Sequence, residues 1–207
     1  FMLWMFIFGI GTLMAMFPLT KAFEGASYFE GILVRTAIPY VVMPLAIPFW
    51  ARLLSRRHVI EFRAIHAWTF VAATLTLTAA SLMDSLAIYY LASVFLGIGF
   101  AGGSLAWNIG HSDFAPPERD AAYMSVHVTL NGLRGLMSPF IAWGLWSWLA
   151  PLDLEPGVFL LCSVVNIIGA LGFVTMALDR RRRSRPVAVP VAEAPAAADE
   201  SMSPSRR

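Results

Sequence analysis

Apolar stretches separated by short polar ones organise this chain along its length. Six can be read, at approximately residues 2–19, 31–50, 66–83, 86–107, 122–149 and 157–178. Each is close to the roughly 20 residues that a helix needs to cross the hydrocarbon core of a bilayer. Lipid offers no water to satisfy open strand edges, so the pattern predicts helices throughout: an all-α, polytopic membrane protein with six transmembrane helices. The third and fourth stretches are separated only by Asp84 and Ser85, which predicts a tight helical hairpin. The fifth is long and interrupted by polar residues. The expected organisation is a six-helix bundle over residues 1–185 and a disordered cytoplasmic tail over 186–207, where Pro, Ala and Ser dominate.

Composition agrees. Of the 207 residues, 58% are hydrophobic and 14% charged, whereas a soluble domain averages about 45–50% apolar and about 25% charged residues. The mean hydropathy is +0.67. A single cysteine, Cys162, lies in an apolar run and excludes a disulfide framework. The chain begins inside an apolar run without a basic stretch before it, which reads as a cut through a longer protein rather than a signal peptide.

Arginines orient the spans. The loop at 51–65 holds Arg52, Arg56, Arg57 and Arg63, the loop at 108–121 holds Arg119, and the last span is followed by DRRRRSR. The alternate loops hold Lys21 among Glu24, Glu30, Asp84, Asp153 and Glu155. Lys and Arg bias places both ends of the segment in the cytoplasm. Arg180–Arg183, directly after a span, read as a lipid-headgroup anchor rather than a nucleic-acid contact. The lipid bilayer is thus the first expected partner, and nucleic acid is not one.

FLGIGFAGGSLAWN contains a G-x-G-x-x-G at Gly97, Gly99 and Gly102. A dinucleotide site needs a strand before that turn and a soluble helix after it. Here the apolar run continues without a break, so the glycines read as a packing surface on a spanning helix. Gly99 and Gly103 form G-x-x-x-G, which lets helix backbones approach closely. The face is expected to meet a further half of the protein.

Tyr123, His127, Asn131, Arg134 and Ser138 recur at spacings of three and four and share one face of the fifth helix. Arg134 lies about 20 Å into it at 1.5 Å per residue. A charge at mid-bilayer costs roughly 2.5–3.5 kcal/mol even on the lenient insertion scale, so it faces a partner or a cavity. Two roles stay open for it: a solute contact, or a structural arginine capping carbonyls of a neighbouring helix. His127 is open between proton exchange and a satisfied interhelical histidine. Arg35 sits about one turn inside its helix, where snorkelling to the headgroups competes with a role in the pathway. Pro39, Pro44 and Pro48 are expected to bend that helix. No Asp or Glu lies deep inside any span. His111 and Asp113 lack a third ligand and make a poor metal site; neither a metal nor a cofactor is expected.

The loop WARLLSRRHVIEFR resembles the second signature loop of the major facilitator superfamily, roughly G-x-x-x-D-R-x-G-R. Ala51 stands at the glycine, Ser55 at the aspartate, Arg56 matches, and His58 stands at the later glycine. The stretch from Gly97 to Phe140 resembles the family's tenth helix, the following loop with Pro117 and Arg119, and an eleventh helix with G-L-x-x-P ending at Pro139. The resemblance implies the carboxy-terminal half, helices seven to twelve, of a secondary transporter, built as two inverted three-helix repeats. MFIFGIGT and FLGIGFAGG hold a trace of that repeat. It further implies that the first two helices of each triplet approach the central cavity and the third lies outside. Arg35, Asn108, His127, Asn131 and Arg134 then fall near the pathway, whereas Thr74, Thr76, Thr78 and Asn166 serve packing. The expected function is secondary transport of a small polar or anionic solute by alternating access, in a bacterial inner (plasma) membrane, with the missing amino-terminal six-helix half as partner. A scaffold or sensor of the same fold is the main alternative, and a membrane enzyme using His111, Asp113 and Glu118 the lesser one.

Overall fold

Eight α-helices account for most of the described chain in a computed structural model, which describes residues 1–23 and 28–183. They are α1 (Met2–Met14), α2 (Met16–Lys21), α3 (Tyr28–Ile32), α4 (Ile38–Leu54), α5 (Val59–Leu82), α6 (Leu86–Ile109), α7 (Asp120–Leu149) and α8 (Pro156–Arg183). No strand occurs among the described residues. The expected tail at 186–207 and Glu24 lie outside them.

Among the described residues five helical stretches are long and apolar enough to cross a membrane: Met2–Lys21, Tyr28–Leu54, Val59–Leu82, Leu86–Asp113 and Pro156–Arg183. The stretch expected as a fifth of six spans is one unbroken helix, α7, of 30 residues, but it is not among these. Its polar face, with His127, Asn131 and Arg134, lowers its apolarity.

Local irregularities follow from proline and from turn chemistry. Pro18 has no N–H for the carbonyl of Met14, and the first span pauses at Ala15 between α1 and α2. Pro39 likewise cannot donate to the carbonyl of Arg35. The preceding turn, Leu33–Ala37, slips into π register, and the Ile38 N–H bonds the carbonyl of Leu33. That slip frees the carbonyl of Val34, which accepts the Ser93 hydroxyl at 2.7 Å. The predicted hairpin is present: Asp84 adopts φ 45° between α5 and α6, a left-handed conformation that Asp tolerates better than most residues.

The third predicted span, α5, departs from expectation. It starts at Val59 rather than near residue 66, so the basic loop shrinks to residues 55–58. Val59, Ile60 and Phe62 are buried and hold this first turn, and His58 caps it by accepting the Ile60 N–H. Asp113 supports the same end by accepting the Val59 N–H at 2.5 Å. Arg63, expected in the loop, is a buried helical residue.

The helices pack as α1 on α7 and α8, α4 on α6, and α5 on α6 and α8. A buried polar string ties α1, α5 and α8 together. Thr12 donates to Asn166 Oδ1 at 3.1 Å, and Asn166 Nδ2 donates to Thr74 Oγ1 at 3.4 Å. Thr74, Thr76 and Thr78 also donate to carbonyls one turn back in α5. Both uses agree with the expected packing role. By contrast, α4 buries only Pro39 and Trp50, and α7 only His127, Ser138, Ala142 and Leu149.

Candidate functional site

A cavity of about 420 Å³ lies among α1, α4, α5, α6 and α7. Phe8, Phe70, Phe100 and Trp107 make its walls largely apolar. Its charged lining is Arg63 and Arg134, and no carboxylate takes part. Neither arginine has an ion pair among the described residues.

Arg134 crosses from α7 to α1. Its Nη1 donates to the carbonyl of Met5 at 2.8 Å, and its Nε is buried without a partner. Gly9 makes this possible: a Cβ there would fall 2.6 Å from Arg134 Nε, so any side chain would displace the guanidinium. Arg134 thus bonds a neighbouring carbonyl, as a structural arginine would, and also lines the cavity. On its other side it borders a small cleft with His127 and Asn131. His127 packs its ring on Trp107, centroids 4.3 Å apart. Its Nε2 is buried with no hydrogen-bond partner among the described residues.

Arg63 is the functional candidate that the sequence reading missed. It is only 4% exposed. Its Nη1 lies 3.3 Å from His66 Nδ1, and His66 Nε2 lies 2.8 Å from the carbonyl of Gly99. A guanidinium only donates, so Nδ1 accepts and the ring proton sits on Nε2, where it bonds Gly99. His66 is fully buried, stacked on Phe62 and edge-on to Trp50 and Phe70. One edge of the Arg63 guanidinium is therefore held by a fixed neutral imidazole, and its Nε has no acceptor among the described residues. The helix expected to lie outside the cavity, α5, supplies both Arg63 and Phe70 to it.

The remaining expected residues divide. Asn108 lines the cavity, although its amide nitrogen donates back to Ser104. Arg35 does not line it; its Nη1 donates to Thr20 Oγ1 at 2.9 Å, beside the end of α2. Gly97, Gly99 and Gly102 pack, as expected for close helix approach, but against this chain rather than a further half. A Cβ at Gly97 would meet the Pro39 carbonyl and Val42 of α4; at Gly99 it would meet the Phe70 ring, and at Gly102 His66 and Trp50. Gly103 differs: its nearest neighbours would stand 3.9 Å away, and it lines the cavity. In the short loop, Ala51 and Ser55 border a separate cleft with Asp113, and Arg56 is exposed. His111 Nε2 faces Asp120 at 3.2 Å, and among the described residues no three His, Cys, Asp or Glu are grouped to hold a metal.

Arg63 could have been found from V-I-E-F-R-A-I-H, where Arg63 and His66 are three apart behind an apolar turn. Its nearness to Arg56 and Arg57 disguised it as a loop charge. The chain matches no family model, no curated protein and no solved structure.

Proposed function

We propose that this chain forms one six-helix half of a secondary transporter of the major facilitator kind, which moves a small polar or anionic solute by alternating access. In this reading α7 also crosses the membrane and brings the spans to six, its polar face turned to the solute pathway and to the second half. The observation that carries the proposal is a cavity between membrane-crossing helices holding two guanidiniums and no carboxylate. Uncompensated charge at such depth is costly and is kept where it serves a pathway or a ligand.

The packing supports the inverted repeat. Exchanging the first three spans for the last three converts α4 on α6 into α7 on α1, and α5 on α6 into α8 on α1, while α5 on α8 maps to itself. The two G-I-G sequences follow the same exchange. Gly97 abuts α4 as Gly9 abuts α7, and Gly99 abuts α5 as Gly11 abuts α8 at Asn166. A repeat unit used twice with opposite orientation accounts for both, and rocking of such a bundle against a partner bundle is how alternating access proceeds.

The test is solute flux into proteoliposomes containing the full-length protein. Arg134→Ala is expected to abolish uptake while the protein still inserts and folds. Unchanged uptake removes Arg134 from the pathway, and no flux of any solute by the unaltered protein removes the transport reading.

A further inference from the structure

The two guanidiniums differ in what surrounds them but share one deficiency. Arg63 is held from behind by His66, Arg134 by the Met5 carbonyl, and each keeps a buried Nε–H without an acceptor. Two positive charges border the same cavity with no negative charge to offset them. A buried charge left without its counter-ion is strongly destabilising. An anion in the cavity would offset this cost.

The walls restrict which anion. A phosphate or sulfate offers acceptors on every side and loses hydration all round; Thr12, Ser104 and Asn108 also line the cavity but already donate to carbonyls of their own helices, and the aromatic rings cannot replace that hydration. A carboxylate on an apolar body loses hydration at one end only. Its oxygens suit the planar fork of a guanidinium, and its body suits Phe8, Phe70, Phe100 and Trp107. The cavity of about 420 Å³ lies within the range of about 300–1,000 Å³ usual for small-molecule sites.

We infer that the cavity binds an organic monoanion, a carboxylate on a compact apolar or aromatic body, with Arg63 and Arg134 together holding its acid group. The inference rests on the transport reading and names the solute class for it. Arg63 is a binding residue in this scheme and His66 its positioning residue.

Binding can be measured without transport, by isothermal titration calorimetry on the full-length protein in lipid nanodiscs. Benzoate is the probe, with benzyl alcohol as its neutral counterpart, benzylamine as its cationic one, and inorganic phosphate as the anion without an apolar body. Benzoate is expected to bind at least about tenfold more tightly than each of the others, the scale of hydrogen bonds to charged groups. Arg63→Gln and Arg134→Gln should each weaken it about tenfold or more, and Arg63→Lys should weaken it less than Arg63→Gln. Gly103→Leu retains both guanidiniums but fills the space in front of them, and should abolish binding even if Arg63→Gln fails to fold. No benzoate binding, tighter binding of phosphate, or undiminished binding in Gly103→Leu overturns the inference. Bound benzoate without flux of any solute overturns the transport reading alone, and flux that needs Arg134 without bound benzoate overturns this inference alone.

Discussion

Replacing Gly97 with alanine probes a close approach in the bundle, that of α6 to α4. The new Cβ would stand 2.7 Å from both the carbonyl oxygen of Pro39 and Cβ of Val42, and 3.0 Å from Cα of Pro39. Ordinary non-bonded carbon contacts begin at about 3.5 Å, so the helices must separate by about 0.8 Å. Two of the three atoms are backbone, and no rotamer change relieves them. The same separation strains two hydrogen bonds across the interface: Ser93 to the Val34 carbonyl at 2.7 Å, and Trp50 Nε1 to the Ile98 carbonyl at 2.8 Å. Overpacking costs about 1–3 kcal/mol, a weakened hydrogen bond adds up to about 1 kcal/mol, and the better helix propensity of alanine returns about 1 kcal/mol. The expected net loss is up to about 3 kcal/mol, and about 1 kcal/mol more when measured against a variant that keeps only the propensity gain. Gly103→Ala is the internal control, because its Cβ meets nothing closer than 3.9 Å and retains the propensity gain. Unfolding in mixed micelles with increasing SDS, followed by circular dichroism, should place Gly97→Ala below the unaltered protein and Gly103→Ala at or above it. Equal midpoints for the two variants would refute the close approach.

Two further outcomes follow from the same geometry. His66→Leu leaves an Arg63 N–H unpaired in the core and removes the side-chain donor from the Gly99 carbonyl, which keeps its helical partner, and should cost about 1–3 kcal/mol by SDS unfolding; a loss below measurement would mean that His66 is packing alone. Asp113→Ala removes the carboxylate that accepts the Val59 N–H at the start of α5. Hydrogen exchange at the Val59 amide should quicken by an amount equivalent to about 0.5–2 kcal/mol, with exchange at mid-helix Leu77 unchanged.

Much of the architecture is legible in one dimension. Hydrophobic runs of spanning length and the two-residue break at Asp84 and Ser85 place most helices and the hairpin, because a helix satisfies its own backbone and lipid penalises anything else. The depth of Arg134 is legible too, since its distance from both ends of α7 follows from the rise per residue. The site itself is only half legible. Asn108 and Arg134 are found by their positions in apolar text, but Arg63 is not. It stands six residues after Arg57 and two after Glu61, where a rule that counts positive charges near span ends reads a solvated loop.

Only the tertiary structure separates these arginines. Arg56 and Arg57 point to solvent, whereas Arg63 turns inward because His66, one turn on, offers it an acceptor and Gly99 and Gly102 let α6 come close enough to bury both. Arg35 shows the converse: its apolar setting resembles that of Arg134, yet it bonds Thr20 and stays out of the cavity. The glycines are recognisable as packing positions from sequence, but which helix each one admits is set by how the spans are arranged. By itself the sequence determined an all-helical protein with spans made for lipid, since burial of apolar length is a local property. The tertiary structure decided which buried charges meet, because that depends on contacts between residues as far apart in the chain as Met5 and Arg134.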